Sequence, residues 1–228
     1  MSLFGFVQAG GVSTRFGVDK ALVRFEGKTL LARTLELVSS VCGETKIVAP
    51  LGKYGDATVP ILADRWPGEG PLGGILTALQ HINGRRGIPA GAQAEDRGIR
   101  SHALILSCDM PFLTREWLAY LCDRAMKSNA QVTVPQSENG LEPLCACWST
   151  DAASTIQTAF DAGVRKVTEA TKRLPMEVLD EPAWKRFDTD GRLFWNMNTP
   201  ADFEEARRVF EERAERVEKA PPRQRRNE

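Results

Sequence analysis

The chain has 228 residues, 42% of them apolar, which suffices for one domain with a sizeable core. Its 30 lysines and arginines balance 30 aspartates and glutamates, so no overall field attracts a nucleic acid or a membrane surface. No segment approaches the roughly 18 apolar residues of a membrane span, and any anion must be bound by a local cluster of cations.

The five cysteines indicate the compartment of the protein. Their number is odd and they form no C-x-x-C pair, which favours a reduced protein over a disulfide framework. The first residues, MSLFGFVQAGG, lack the basic and long apolar regions of a secretory signal. The sequence therefore predicts a cytoplasmic protein, with Cys145 and Cys147 as small core residues rather than nucleophiles.

Short apolar runs alternate along the chain with segments of helical periodicity. The sequence predicts strands at residues 3–7, 45–49, 61–62, 103–107, 131–135, 143–148 and 176–179. It predicts helices at residues 29–41, 75–82, 151–162, 164–174 and 199–219, and a further helix capped by Thr114. This alternation predicts an α/β fold of three α/β/α layers with a mostly parallel sheet. Residues 1–219 then form a single domain, 83–100 a surface loop and 220–228 a disordered tail.

The loop QAGGVSTRFGVDK, at residues 8–20, follows the first predicted strand. Gly10 and Gly11 permit positive φ and a close approach of the backbone to a ligand. Ser13 adds a hydroxyl, and Arg15 and Lys20 add two cations, a combination that suits a triphosphate. An ordinary β–α turn with solvated charges would look the same. The glycine spacing fits neither the Walker loop nor the dinucleotide-binding motif.

The pattern A-G-G-x-S-x-R-x-G-x-D-K at residues 9–20 resembles the signature of the MobA-like nucleotidyltransferases, a family that includes molybdenum cofactor guanylyltransferase. Gln8 and Phe16 depart from the usual Leu and Met, which affects packing more than phosphate chemistry. The resemblance extends over residues 4–210 with five motifs in family order. It implies a Rossmann-like nucleotide-binding topology of the nucleotide-diphospho-sugar transferase type.

The same resemblance implies an enzyme, a nucleotidyltransferase that moves GMP from GTP to the terminal phosphate of molybdenum–molybdopterin. Within the first loop it assigns the nucleotide-binding role to Gln8, Ala9, Gly10, Gly11, Ser13 and Lys20. Lys20 and Arg15 would neutralise the charge that builds up during transfer. Asp19 is assigned the structural role of orienting Lys20.

Asp109 stands at the end of a buried predicted strand, in the segment Cys108-Asp-Met-Pro111. From the residues alone, it is either a turn-forming residue before the proline or a ligand of Mg²⁺, which takes one or two carboxylates plus substrate phosphates. The resemblance favours the metal, because the family's C-D-x-P segment carries its Mg²⁺ aspartate. Asp109 is therefore predicted as a catalytic, nucleotide-binding and metal-binding residue.

The resemblance also places nucleoside contacts on Asp64, Leu72, Gly73 and Gly74, although an ordinary loop opening a helix would look the same. The Asn that follows the second strand in guanylyltransferases has no counterpart in Ala49-Pro-Leu51. The choice between GTP and CTP therefore stays open at this stage.

Two further segments, Glu142-Pro-Leu144 and Asn196-Met-Asn-Thr-Pro200, resemble the family motifs that line the acceptor and metal side. Glu142, Asn196 and Asn198 are assigned to that side. Turn formation and helix capping around Thr199 would explain the two asparagines equally well.

The predicted partners are GTP, Mg²⁺, a molybdopterin-type cofactor and the enzymes that make or receive it, and neither nucleic acid nor membrane. One rival is transfer of CMP to the same cofactor, and another is nucleotidyl transfer to a different phosphorylated acceptor. A third is a non-catalytic nucleotide- or cofactor-binding protein. The presence of both Lys20 and Asp109 argues against the third, since binding alone does not require a metal-holding acid.

Overall fold

The computed structural model describes residues 2–10, 19–25, 27–87 and 100–219, with side chains described to residue 212. The strands are β1 Ser2–Gln8, β2 Arg24–Phe25, β3 Lys28–Thr29, β4 Glu44–Ala49, β5 Ile61–Ala63, β6 Ser101–Ser107, β7 Val132–Ser137, β8 Gly140–Leu141, β9 Cys145–Ser149 and β10 Met176–Leu179. The helices are α1 Leu30–Ser39, α2 Pro71–Arg85, α3 Arg115–Lys127, α4 Ala153–Asp161, α5 Val167–Thr171, α6 Glu181–Trp184 and α7 Pro200–Lys219. Within these ranges, no helix combines the length and the apolar composition that crossing a membrane requires.

The main sheet has the strand order β10-β7-β9-β6-β1-β4-β5, with β8 beside β7. The pairs β1–β4, β1–β6, β4–β5 and β7–β10 are parallel, whereas β9 is antiparallel to both of its neighbours. The chain from Ser137 to Cys145 is too short for the crossover of a dozen or more residues that a parallel pair needs, so β9 must reverse. The predicted mostly parallel sheet is confirmed.

Both faces of this sheet are covered. Along β6, Leu104 and Leu106 pack into one core with α1, α3 and α7, whereas Ala103 and Ile105 pack into another with α2, α4 and α5. Successive side chains of a strand point to opposite faces, so a strand buried on both sides is apolar throughout. The predicted three-layer α/β/α architecture is confirmed.

The largest error in the predicted elements concerns α2, which was expected at residues 75–82. It begins at Pro71, directly after Gly70 (φ 85°), and ends at Arg85. Proline suits a first helical position because its missing N–H would have no partner there, yet the flanking glycines hide the start. The end of α2 therefore takes the first residues of the predicted loop at 83–100, of which 88–99 lie outside the described residues.

The predicted helix starts at Thr114 and Thr199 are confirmed. The Thr114 hydroxyl accepts a hydrogen bond from the Trp117 amide at 3.2 Å. At α7, the Thr199 amide donates to the Asp202 carboxylate at 2.8 Å, and the Asp202 amide donates to the Thr199 hydroxyl at 3.2 Å. This reciprocal pair is a capping box.

His102, on β6, gives the stability of the fold a pH dependence. It is 1% exposed, and neither ring nitrogen has a hydrogen-bond partner among the described residues. Burial lowers the pKa of His102, and the nearby positive charge of Arg100 lowers it further. The folded imidazole therefore takes up its proton at a lower pH than the unfolded chain, whose histidine has the ordinary pKa of about 6.5. Because the unfolded state binds more protons, stability falls as the pH drops below that value.

We expect the free energy of unfolding to decline by at most about 1.4 kcal/mol per pH unit through His102. Urea unfolding at pH 7.5 and 5.5 should show a smaller difference in His102→Gln than in the wild type. His81→Gln is the matched comparison, because His81 is only partly buried although burial also lowers its pKa. An equal pH dependence in wild type and His102→Gln would contradict this account of His102.

Candidate active site

The carboxyl ends of β1 and β6 lie side by side and carry the two main candidate segments. The first loop leaves β1 at Gln8, and the Ala9 amide donates to the Val48 carbonyl of β4 at 3.0 Å. Cys108, which follows β6, donates its thiol to the Gln8 carbonyl at 3.6 Å. Ligands of parallel α/β sheets bind at this edge. Gly11, Ser13 and Arg15 lie outside the described residues.

Lys20 and Asp109 meet at this edge. The Lys20 ammonium lies 3.8 Å from Asp109 Oδ2 and donates a hydrogen bond to Asn198 Oδ1 at 3.2 Å. The side chains of Lys20 and Asp109 are 19% and 28% exposed, so their charges are partly shielded from water but still accessible to a ligand. A cation, a carboxylate and an amide from three distant segments thus form one polar cluster.

Asp109 is held by one hydrogen bond to its side chain and one to its backbone. The Ser107 hydroxyl donates to its Oδ1, and its backbone carbonyl accepts from the Met197 amide at 2.8 Å. The second bond fixes the segment that carries Asn196 and Asn198 against the end of β6. Asp109 is thereby placed where β6 meets the asparagine segment.

Glu142 forms the next part of the cluster. It is 7% exposed, and the Ser137 hydroxyl donates to its Oε1 at 2.6 Å. Burial raises the pKa of Glu142 and the negative charge of Asp109 raises it further, which outweighs the hydrogen bonds from Ser137 and Asn196. Asn198 is held differently, because its backbone amide donates to the Asp202 carboxylate at 2.7 Å. Its main chain therefore helps to start α7 while its side chain faces Lys20.

The donor set of the cluster fits Mg²⁺. Asp109 and Glu142 supply carboxylate oxygens and the asparagines supply amide oxygens, the hard ligands that this ion prefers. The described residues contain no group of three or more His, Cys, Asp or Glu side chains that could hold a metal by itself. An ion here would be held by one or two carboxylates and completed by substrate phosphates, as is usual for Mg²⁺.

On the other side of β1, Asp64 holds the loop that leads into α2. Its Oδ1 accepts from the Trp66 amide at 3.0 Å and from the Thr77 hydroxyl at 3.1 Å. The Thr77 hydroxyl in turn accepts from the Arg65 amide at 3.2 Å. These bonds give Asp64 a structural role in the loop.

Leu72, Gly73 and Gly74 belong to the first turns of α2. Leu72 is fully buried, and Gly73 and Gly74 are buried as well. A Cβ on Gly73 would lie 3.1 Å from Trp66 Cβ, and a Cβ on Gly74 would lie 2.8 Å from Gln8 Cδ. A Cβ on Gly73 would thus press on Trp66, whereas the flexible end of Gln8 could move away from one on Gly74. Gln8 also donates to the Pro71 carbonyl at 3.1 Å, which joins the first loop to the start of α2.

A family model described as "MobA-like NTP transferase domain" matches residues 5–175, three quarters of the chain. The chain belongs to the MobA-like NTP transferase family. It is therefore an enzyme of the nucleotidyltransferase class, as the first loop predicted.

Individual relatives agree with this membership. A probable molybdenum cofactor guanylyltransferase of Chloroflexus aggregans is 29% identical over 207 residues, which cover 89% of this chain and 92% of the relative. A molybdenum cofactor guanylyltransferase of Desulfosudis oleivorans is 30% identical over 205 residues, covering 89% and 93%. The crystal structure of molybdopterin-guanine dinucleotide biosynthesis protein A from Archaeoglobus fulgidus superposes with a TM-score of 0.75 at 26% identity, covering 92% and 99%.

More distant structures share the fold alone. The 2-C-methyl-D-erythritol 4-phosphate cytidylyltransferase of Thermus thermophilus superposes with a TM-score of 0.62 at 14% identity, covering 92% of this chain and 100% of that one. The predicted nucleotide-diphospho-sugar transferase type of sheet is confirmed by these neighbours.

One set of contacts in this MobA-like site, made by the carboxylate of Asp19, was not predicted from the sequence. The carboxylate of Asp19 accepts hydrogen bonds from the Tyr54 hydroxyl at 2.8 Å, the Lys53 ammonium at 3.0 Å and the Ala21 amide at 3.1 Å. Burial raises the pKa of Asp19, but these hydrogen bonds lower it more, so the carboxylate is held in its charged form. The available signal was that Lys53 and Tyr54 follow β4, whose carboxyl end lies at the same edge as the first loop.

A cavity of about 600 Å³ lies between α1 and the start of α3, on the far side of Asp109. Lys28, Arg33, Thr34, Met110 and Arg115 contribute to its wall. None of the predicted site residues that the structure describes lines it. The candidate site is the polar cluster, and its described residues lie outside the wall of this cavity.

Proposed function

We propose that the chain is a molybdenum cofactor guanylyltransferase. It transfers GMP from GTP to the terminal phosphate of molybdenum–molybdopterin and releases pyrophosphate. The observation that carries the proposal is the convergence of Lys20, Asp109 and Asn198 at the carboxyl edge of the sheet. The chain that holds this cluster is 29–30% identical, over almost 90% of its length, to proteins that bear this name.

The two substrates are expected to bind on opposite sides of the cluster. The nucleotide lies on the side of β1 and β4, with the backbone of Gln8, Ala9 and Gly10 against its phosphates. Gly11, Ser13 and Arg15 take phosphate contacts by their position in the loop. The nucleoside lies toward Asp64 and the backbone of Leu72, Gly73 and Gly74 at the start of α2. The acceptor lies on the side of Glu142, Asn196 and Asn198.

The reaction needs no covalent intermediate. The acceptor phosphate attacks the α-phosphate of GTP in line with the departing pyrophosphate, and the enzyme contributes by positioning both and by stabilising charge. Lys20, with Arg15, places positive charge against the phosphates. Asn196 and Asn198 donate amide hydrogens toward phosphate oxygens.

Mg²⁺ is part of this proposal, with Asp109 as its protein ligand. The carboxylate of Asp109 and the amide oxygen of Asn198, which both lie beside Lys20, are hard oxygen donors and support the choice of ion. When bound, Mg²⁺ neutralises phosphate charge that builds up during transfer. Asp109 also keeps its place beside Lys20, so the cation and the metal ligand act on the same group of phosphates.

The location and partners follow from the same chemistry. A cytoplasmic location is supported by the five cysteines, which are all buried and free, since disulfides persist in oxidising compartments. Enzymes that make molybdopterin or receive the dinucleotide cofactor are the expected partners. Residues 1–219 serve as one catalytic domain, because the two cores on the faces of a single sheet draw on elements from β1 to α7.

The choice of nucleotide decides between this function and its nearest rival. Ala49-Pro-Leu51 lacks the Asn expected of a guanylyltransferase, which is the observation that favours CMP transfer as the second candidate. Calorimetric titration with GTP and with CTP, each with Mg²⁺, should show at least about tenfold tighter binding of GTP, or about 1.4 kcal/mol. Tighter binding of CTP would move the protein to cytidylyl transfer, and binding of neither would contradict the nucleotide site.

A further inference from the structure

We propose that Tyr54 is a positioning residue for Lys20, on which it acts through the carboxylate of Asp19. The inference rests on the proposed nucleotidyl transfer, in which Lys20 faces the phosphates. Its starting point is the pair of hydrogen bonds that the Tyr54 hydroxyl and the Lys53 ammonium donate to Asp19 Oδ2, at 2.8 and 3.0 Å. Tyr54 and Asp19 are 35 residues apart in the chain. This pair of bonds is called the Asp19 clamp below.

The backbone of Tyr54 supports a role beyond loop formation. Its φ is 57°, and among the described residues it is the one non-glycine residue with positive φ. This left-handed region is unfavourable for a bulky aromatic residue, whereas glycine adopts it without strain. Strained backbone of this kind persists where the surroundings fix it, and it concentrates at functional sites. The hydrogen bond to Asp19 is one of the contacts that hold Tyr54 in this conformation.

The clamp reaches Lys20 through one turn of helix. Asp19 Oδ1 accepts from the Ala21 amide at 3.1 Å and thereby caps the 3₁₀ turn at Lys20–Leu22. Lys20 is the first residue of that turn, and its ammonium is the group that approaches Asn198 and Asp109. Fixing the Asp19 carboxylate from the other side therefore fixes the direction in which the Lys20 side chain leaves the turn.

A second contact holds the same two loops together. Gly10 has a φ of 108°, and a Cβ placed on it would lie only 2.6 Å from Pro50 Cδ. The loop that follows β4 thus packs directly on the backbone of the first loop. With the Asp19 clamp, it is joined to the first loop at both the beginning and the end of that loop.

The groups that face Asp19 keep the clamp intact near neutral pH. They are Lys53 and Tyr54 from the loop after β4, and the buried thiol of Cys108 after β6. Burial raises the pKa of Tyr54, and its bond to the Asp19 carboxylate raises it further. Burial likewise raises the pKa of the Cys108 thiol. Tyr54 therefore stays a donor, and Asp19 stays an acceptor.

Tyr54→Phe removes the hydroxyl alone and tests the inference directly. We expect kcat for GMP transfer to fall about 10- to 100-fold, because a displacement of roughly 1 Å at a reacting group has an effect of this size. The KM for GTP should change by less than about threefold, since contacts of the other phosphate-binding groups remain. The chain has two tyrosines, and Tyr120→Phe is the matched control, which should have the kinetics of the wild type.

Asp19→Asn provides a second variant with the same expectation. Its amide oxygen can still accept from the Ala21 amide, whereas its nitrogen cannot accept from Tyr54 or Lys53. A double-mutant comparison then separates positioning from general damage: in a Lys20→Ala background, Tyr54→Phe should add less than about a twofold loss. Independent, multiplying losses would overturn the inference, and so would an unchanged kcat in Tyr54→Phe.

A spectroscopic measurement tests the bond without reference to catalysis. In Tyr120→Phe, the remaining tyrosine is Tyr54, and its phenolate absorbance should appear at lower pH once Asp19→Asn is added. An identical titration in the two proteins would show that the clamp is not formed. If the wild type transfers no nucleotide, the proposed function fails; if it does and Tyr54→Phe is equally active, the clamp inference alone fails.

Discussion

Replacing Asp109 by Asn should lower kcat/KM for GMP transfer about 1,000-fold, which corresponds to about 4 kcal/mol of lost transition-state stabilisation. The substitution keeps the shape of the side chain and the backbone bond between Asp109 and Met197, so the fold should survive. It removes the negative charge that is proposed to hold Mg²⁺ and that lies 3.8 Å from the Lys20 ammonium. Pyrophosphate release in the presence of GTP, Mg²⁺ and the cofactor measures the effect.

Asp123→Asn is the matched control for this experiment. Asp123 is an exposed aspartate on α3 whose partner is Lys127, one helical turn away, so its loss should leave turnover unchanged. A rate for Asp109→Asn within about tenfold of the wild type would contradict the metal assignment. Calorimetry should add that GTP still binds to Asp109→Asn, because the other phosphate contacts remain.

Replacing Lys20 by Ala should lower kcat/KM by about 100- to 1,000-fold, and it should also weaken GTP binding. The ammonium lies in a partly shielded site next to Asp109 and Asn198, where a positive charge stabilises phosphate oxygens more than it would in water. Lys20→Arg should recover only part of the rate, because a planar guanidinium does not reproduce a compact ammonium. Steady-state kinetics and calorimetric titration with GTP together give both effects.

Lys28→Ala serves as the comparison for Lys20→Ala. Lys28 is an exposed cation paired with Glu36 on α1, and the removal of such a pair changes little. Equal activities of Lys20→Ala and the wild type would remove the cationic basis of the proposed mechanism. Loss of turnover together with retained GTP affinity would mean that Lys20 stabilises the transition state and does not contribute to the binding of GTP.

Local patterns in the sequence predicted much of the fold. Thr114 and the Thr199–Asp202 pair mark helix starts because capping depends on residues three positions apart. The apolar run of β6 reads as buried because both of its faces are covered. The start of α2 was missed, since Gly70 and Pro71 read as a loop until their backbone angles are known.

Long-range contacts limited how much of the candidate site could be predicted from the sequence. Lys20 and Asp109 could be grouped because their segments follow strands of one sheet, and Asn198 could be added because its segment matches a family motif. The bond between Tyr54 and Asp19 was missed, because the end of β4 indicates the edge at which Tyr54 lies but no motif in that loop marks Asp19 as its partner. The packing of Gln8 on Gly74 is a similar case, since it depends on the angle between β1 and α2.

The reversed direction of β9 has a consequence for how this enzyme can change its specificity. Because β9 runs against β6, the residues before it open on the same rim as the ends of the parallel strands, and the Ser107 amide bonds to the Leu144 carbonyl there. Residues 138–144 thus leave and re-enter the sheet at one rim, and can lengthen or vary without altering the strand order. The acceptor contact proposed for Glu142 lies in this segment, so it can diverge separately from the loops after β1 and β4, to which the nucleotide is proposed to bind.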